Sequence, residues 1–232
     1  KLDETFVISK AHNYVLCSMF HVYLNSQLTH HTTITPTTHF SQVTWSGNDS
    51  AGNPIPYPGT PEWAALPEKT KSPWGLLPSL VDAASGTYIG ESGAIGRWLI
   101  KKFGLAPDDM KLYATSEQSI ETSAAVHAHF SKAHYTPDRT AAMDALFGEG
   151  SGLQKTLAGV ESIIEGSPFV GSAATPGDYF LAAALMQCTF LQADSLDKYP
   201  KCKALHDHVH SLEAVKAYLA TVPYSYFKRN SD

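Results

Sequence analysis

Apolar and polar residues follow two different patterns along this chain, and the change falls near its middle. Before about residue 100, short apolar runs are bounded by Gly, Pro and Asn, which is typical of strands and turns. After Asp108, apolar residues recur at helical spacing between Gly and Pro breaks. We therefore predict two domains of different class, an α/β domain over residues 1–104 and an all-helical domain over residues 109–232.

In the first domain, the pattern predicts strands separated by turn residues and two helices. The predicted strands are residues 6–8, 40–45, 76–81 and 88–89, the predicted helices start at Tyr14 and Ser92, and residues 46–60 form a long loop rich in Gly, Pro and Asn. Ser92 is expected to cap the second helix. Lys101 and Lys102 would lie near the C-terminus of this helix, where positive charge complements the negative end of the helix dipole. Gly104 should end the helix.

In the second domain, helical periodicity predicts one long helix from Asp109 to Ala133. The residues that follow this spacing are Met110, Tyr113, Glu117, Ile120, Ala124, His127 and Ala128. A further helix is expected over residues 143–164, interrupted near Gly148–Gly152. The segment TPGDYFLAAALMQCTFL has Thr175 at an N-cap, Pro176 at the first helical position and Asp178 at the third. It is apolar on nearly all sides, which predicts a helix through the middle of the domain.

Composition excludes several classes of function. The chain has 232 residues, 43% of them hydrophobic, which is enough for a core and too many for general disorder. With 17 Lys and Arg against 22 Asp and Glu, the net charge of −5 argues against nucleic-acid binding. No apolar run approaches the roughly 18 residues of a membrane-spanning helix, so no transmembrane segment is expected.

The three cysteines Cys17, Cys188 and Cys202 form no CxxC pair, which favours a reducing compartment over a disulfide framework. We therefore expect a cytoplasmic location. Because the sequence opens at Lys1, an organelle reached by way of a removed presequence is the alternative.

Three separated motifs resemble the cytosolic glutathione transferases, with a lean toward the sigma class: WGLLPSL, ESGAI and TPGDY. A weaker similarity is KYPKCKALHDHVHSLEAVKAYL. The resemblance implies the glutathione transferase fold, with an α/β thioredoxin-like N-terminal domain, an all-α C-terminal domain, and glutathione as co-substrate. It also implies a homodimer, with Trp74 near the interface.

The ESGAI motif suits the γ-glutamyl end of glutathione. Glu91 could pair with the ammonium group, while the Ser92 hydroxyl and the N–H groups of the helix start could hold the carboxylate. The alternative is that both residues only cap the helix. The resemblance implies a cis bond between Leu77 and Pro78, which would leave the Leu77 backbone open to pair with the peptide part of glutathione.

The N-terminal catalytic segment departs from the family. The family places a Tyr or Ser hydroxyl after the first strand to stabilise the glutathione thiolate, followed by an arginine, and no such arginine is present in FVISKAHNYVLCSMF. Ser9 at the strand end is the first candidate for the donor and Tyr14 the second, and a third possibility is neither. Leu76 replaces a ligand-binding glutamine of the sigma pattern, for which Lys69 or Lys71 could compensate by holding the glycyl carboxylate.

These features predict a glutathione transferase that conjugates glutathione to a hydrophobic small electrophile, as in detoxification. The side chains around Tyr113 and His127 would supply the apolar pocket. Two alternatives stay open: a glutathione-dependent isomerase of the prostaglandin synthase type, and a catalytically silent structural subunit of a larger assembly.

Eleven histidines raise the question of a metal site. His206 and His210 would share a helical face at positions i and i+4, with His208 turned away, while His127, His129 and His134 lie on the long helix. A third ligand and the groups that would orient the rings are not visible in the sequence. We therefore expect no metal site.

Overall fold

The computed structural model describes residues 6–8, 61, 65, 79–82, 87–166 and 168–221. Three short strands form an antiparallel sheet in the order β1-β2-β3: β1 is Phe6–Ile8, β2 is Ser79–Asp82 and β3 is Thr87–Gly90. The register pairs Val7 with Val81, and Ser79 with Gly90. The predicted strands near residues 6, 79 and 88 are therefore confirmed within these bounds.

Several elements predicted in the first domain lie outside the described residues. They are the helix that starts at Tyr14, the strand at residues 40–45 and the loop at residues 46–60. These elements stay predictions.

The helix α1, Ser92–Lys102, packs against β2 and β3 through a face that includes Ile95, Leu99 and Ile100. Its C-terminal signals are confirmed, since Lys101 and Lys102 lie in the last turn and Gly104 adopts a φ of 65° just beyond it. The expectation that Ser92 caps the helix is wrong. Glu91 is the N-cap residue and Ser92 is the first helical residue.

The described residues up to Phe103 belong to one compact unit, and those from Gly104 to a second. In the part of the second unit that the structure describes, all regular elements are helices: α2 is Met110–His134, α3 is Arg139–Ala145, α4 is Gly152–Ile163, α5 is Pro176–Leu191, α6 is Pro200–Ser211 and α7 is Glu213–Thr221. The full domain bounds, 1–104 and 109–232, include residues outside those described and stay a prediction.

The long helix α2 begins where the sequence predicts, because the Asp109 carboxylate accepts the Leu112 N–H at 2.9 Å. The residues at the predicted helical spacing differ in burial, since Ile120 and His127 are buried, whereas Met110 is 74% exposed and Tyr113 is 39% exposed. The buried positions are Ser116, Ser119, Ile120, Ser123, Val126, His127, Phe130 and Ala133. Small serine side chains let a neighbouring helix approach closely, a preference that hydrophobic periodicity does not record.

The predicted interruption near Gly148–Gly152 is confirmed as the break between α3 and α4. Gly150 adopts a φ of 72°, and Ser151 caps α4 by accepting the Gln154 N–H at 3.2 Å. The first of the two helices starts at Arg139, four residues before the predicted start.

Helix α5 is the interior helix that the sequence predicts. All of its residues except Met186, Thr189 and Phe190 are buried, and it packs against both α2 and α6. The predicted capping box is present, with Thr175 at the N-cap and Asp178 at the third helical position. Among the described residues, no helix is both long and apolar enough to cross a membrane.

Candidate functional site

The residue that connects β3 to α1 has a backbone conformation that amino acids other than glycine rarely adopt. Glu91 has φ 66° and ψ 122°, and among the described residues it is the one non-glycine position with a positive φ. Such a conformation costs of order 1 to 3 kcal/mol, and residues that retain it cluster at functional sites. Glu91 is therefore the strongest structural indication of a site in the first unit.

The strained residue places two different groups at the start of α1. Gly90 before it is buried and paired with Ser79, while the Glu91 side chain is exposed. The Glu91 carbonyl accepts the Ile95 N–H at 2.9 Å, so the helix begins immediately after the turn. Ser92, the first helical residue, is only 8% exposed. The chain thus changes from strand to helix within a single residue.

This arrangement suits a ligand that carries opposite charges close together. The N–H groups of a first helical turn have no partner within the helix, and together with the helix dipole they favour an anion such as a carboxylate. An exposed glutamate beside them favours a cation. An α-amino acid has both charges on one carbon, so the start of α1 has the chemistry to bind such a group.

The structure brings together two of the predicted site residues, Glu91 and Ser92. The other six, Ser9, Tyr14, Lys69, Lys71, Leu77 and Pro78, lie outside the described residues and stay predictions, as does Trp74. Two of these residues are sequence neighbours of described strands. Ser9 directly follows β1, which ends at Ile8, and Pro78 directly precedes β2, which begins at Ser79.

In the second unit, the residues expected to line a pocket differ in exposure. Tyr113 is partly exposed on α2, whereas His127 is buried at 5% exposure. Burial raises the pKa of the Cys188 thiol to about 12. Burial, and then the nearby Glu161, also raise the pKa of Cys202. Both thiols are therefore protonated at neutral pH, and neither is suited to act as a nucleophile.

Comparisons with known proteins agree with the fold. Residues 125–222 match the sequence model of the glutathione S-transferase C-terminal domain. The hematopoietic prostaglandin D synthase of Gallus gallus is 29% identical over 165 residues, which cover 70% of this chain and 79% of the relative.

Solved structures give the same result. Prostaglandin synthase D of Nilaparvata lugens superimposes with a TM-score of 0.66 at 22% identity, covering 95% of this chain and all of the other. The Pi-class glutathione S-transferase of Onchocerca volvulus gives a TM-score of 0.68 at 20% identity, covering 93% and 92%. The predicted fold class is thereby confirmed: this is the glutathione transferase fold.

Proposed function

We propose that this chain is a member of the cytosolic glutathione transferase family, and that it binds glutathione and transfers it to a hydrophobic electrophile. The proposed reaction is attack of the glutathione thiolate on an electrophilic carbon, which forms a C–S bond. The thiol proton leaves to solvent, and the electrophile loses a leaving group or gains a proton.

The backbone conformation of Glu91 is the observation that supports the proposal most directly. A strained residue between a strand and a helix persists where it positions a ligand group. Here it directs an exposed carboxylate and a helix N-terminus to the same place, which suits the ammonium and carboxylate of a γ-glutamyl group. The proposed role of Glu91 is to pair with the ammonium, and that of Ser92 is to donate to the carboxylate.

Calorimetric titration with glutathione tests this role. We expect Ser92→Ala to weaken binding by about 1 to 3 kcal/mol, because it removes a hydrogen bond to a charged group. Ser162→Ala is the matched control, since Ser162 lies on α4 in the other unit and donates only to a backbone carbonyl. An unchanged affinity in Ser92→Ala, with α1 intact by circular dichroism, would show that Ser92 has no part in binding.

The proposed catalytic donor is the Ser9 hydroxyl, with Tyr14 as the alternative. A free thiol has a pKa near 8.5, so a donor aimed at sulfur is needed to hold the thiolate at neutral pH. Ser9→Ala should leave glutathione affinity nearly unchanged, raise the pKa of the bound thiol and lower the rate by about 10² to 10³. Thiolate absorbance measured against pH gives that pKa. If Tyr14 is the donor, Tyr14→Phe gives this result instead.

The isomerase alternative is favoured by the likeness to the Gallus gallus prostaglandin D synthase. An isomerase returns glutathione unchanged after each turnover, whereas conjugation consumes it. Incubation with a prostaglandin endoperoxide and with an aromatic electrophile, with free thiol measured in both, separates the two activities. If glutathione neither binds nor ionises, the structural-subunit alternative replaces both.

We further propose that the chain forms a homodimer, as the family generally does, and acts in the cytoplasm. Sedimentation velocity at micromolar concentration tests the dimer. A single monomeric species would contradict it.

A further inference from the structure

Two stacked histidines join α6 to α5 in the helical unit. His206 and His210 lie one turn apart on α6, with ring centroids 4.2 Å apart and ring planes 28° apart. Toward α5, His206 Nε2 lies 3.2 Å from Thr189 Oγ1, and His210 Nε2 lies 3.0 Å from Met186 Sδ. The two rings therefore make separate contacts with the same neighbouring helix.

The two rings differ in the charge beside them. His206 Nδ1 lies 2.8 Å from Asp207 Oδ1, so a positive charge on this ring is paired with a carboxylate. His210 Nδ1 instead lies 2.7 Å from the carbonyl oxygen of His206, which carries no net charge. A carboxylate thus contacts one ring of the pair and not the other.

His206 can gain or lose a proton without losing a hydrogen bond. When its Nε2 atom is bare, the Thr189 hydroxyl can donate to it across 3.2 Å. When Nε2 is protonated, the ring donates and the same hydroxyl donates to the Met186 carbonyl at 3.1 Å. The His206 side chain also keeps 15% of its exposure. One added proton therefore leaves the contact between α5 and α6 in place.

A proton added to His210 has no such accommodation. It would lie on Nε2 and point at Met186 Sδ, and a thioether is a weak acceptor. Its charge would also lie in a ring stacked 4.2 Å from that of His206, where like charges repel. Burial, and then the neighbouring His206, lower the pKa of His210 to about 4. His210 is therefore neutral at neutral pH while the contact is closed.

Among the described residues, the helices packed against α6 place no carboxylate on His210. On α5, the titratable group in the turn that carries the contact is the Cys188 thiol, which is uncharged because burial raises its pKa to about 12. On α4, the Glu161 carboxylate accepts backbone N–H groups in the first turn of α6, two turns before His210. On α7, Glu213 and Lys216 pair with each other at 2.8 Å.

We propose that His206 and His210 form a pH-sensitive lock between α5 and α6, which opens in acid when both rings are charged. In the open contact water surrounds His210, and its pKa returns to the ordinary value near 6.5. Between about pH 6.5 and pH 4 the open state then binds one proton more than the closed state. Over that range, each unit of acidification raises the equilibrium constant for opening about tenfold. Above it the lock stays closed.

Two buried thiols beside the lock report its opening. Cys188 lies on α5 one residue before Thr189, Cys202 lies on α6 one turn before His206, and both side chains are 0% exposed. The test is their rate of labelling by 4,4′-dithiodipyridine, a thiol reagent that reacts in acid, from about pH 7 to about pH 4.5. All proteins are full-length and carry Cys17→Ser, so that this thiol does not contribute. Rates are compared between proteins at each pH, so the reactivity of the thiol itself cancels.

His210→Gln should remove the acid response, because glutamine has a donor and an acceptor but cannot be charged. As the pH falls below about 6.5, the labelling rate of the Cys17→Ser background, divided by that of His210→Gln, should rise about tenfold per pH unit. His206→Gln removes the neighbouring charge and should reduce this response. His208→Gln is the matched control, since its ring packs on Phe169, and should keep the full response.

Nitrogen NMR of the His210 ring is a second measurement, made on the unmutated protein. At roughly pH 6 the ring should be neutral, with its proton on Nδ1. The proposal is overturned if the ring is charged at that pH, or if His210→Gln and the background have the same pH dependence of labelling. Loss of the response in His208→Gln, or a full response in His206→Gln, would also overturn it. Circular dichroism at neutral pH shows which variants fold, and if His210→Gln does not, the NMR result and His206→Gln decide.

Discussion

The Asp178 carboxylate accepts the backbone N–H of Val170 at 2.8 Å, and this bond ties the loop before α5 to the first turn of that helix. The same carboxylate accepts the N–H and the hydroxyl of Thr175, at 2.7 and 2.8 Å. Asp178 is fully buried. Burial raises the pKa of its carboxyl, and the bonds from Val170 and Thr175 oppose that rise. One side chain thus satisfies three buried donors from two segments.

Asp178→Asn should lower the free energy of unfolding by about 2 to 3 kcal/mol. The amide has one oxygen instead of two, so a buried N–H is left without its acceptor, which costs about 1 to 3 kcal/mol. Urea denaturation measures the change, with the exposed Asp194→Asn as the control, expected within about 0.5 kcal/mol. Equal midpoints for the two variants would contradict this role of Asp178.

Gly177→Ala should destabilise the protein by more than about 3 kcal/mol. A Cβ at this position would clash with the backbone oxygen of Ser116 and lie 2.8 Å from Ser119 Cβ, so α2 and α5 would have to separate. Gly159→Ala is the matched control, because nothing lies within 4 Å of a Cβ there. That change should stabilise α4 by about 0.5 to 1 kcal/mol. Thermal melting compares the two, and effects of the same sign would be evidence against the close helix approach.

Glu91→Gly should separate stability from binding. Glycine adopts a positive φ without steric cost, so the free energy of unfolding should rise by up to about 1 kcal/mol. Loss of the carboxylate should weaken glutathione binding at least tenfold if Glu91 pairs with the ammonium. Denaturation and calorimetry on the same preparation measure both quantities. A destabilised protein with unchanged affinity would show that the strain at Glu91 has no link to the ligand.

Glu161→Ala should lower the free energy of unfolding by about 1 to 2 kcal/mol. The Glu161 carboxylate, at the end of α4, accepts the N–H groups of Lys201 at 3.0 Å and of Cys202 at 2.9 Å, so it caps α6 from another helix. The control is Glu149→Ala, an exposed glutamate between α3 and α4. Chemical denaturation is again the measurement, and a loss no greater than in the control would exclude the capping role.

Local signals of the sequence were sufficient for several helix boundaries. Thr175, Pro176 and Asp178 predict the start of α5, and Lys101, Lys102 and Gly104 predict the end of α1, because capping involves groups within about four residues of one another. The motif ESGAI likewise contains the two proposed site residues that the structure describes. Their strained backbone has no such signal, since glutamate carries no preference for a positive φ.

Contacts between distant segments were decided by the tertiary structure alone. Met110 and Tyr113 follow the helical spacing of apolar residues yet are exposed, whereas α2 buries Ser116 and Ser119, because the backbone of α5 approaches them at Gly177. In the same way, the sequence shows the i and i+4 histidines but not the thioether beside them, which comes from another helix. Periodicity shows that a helix has a buried side, but the side that is buried depends on the shape of its partner. That shape is fixed only when residues far apart in the chain pack together.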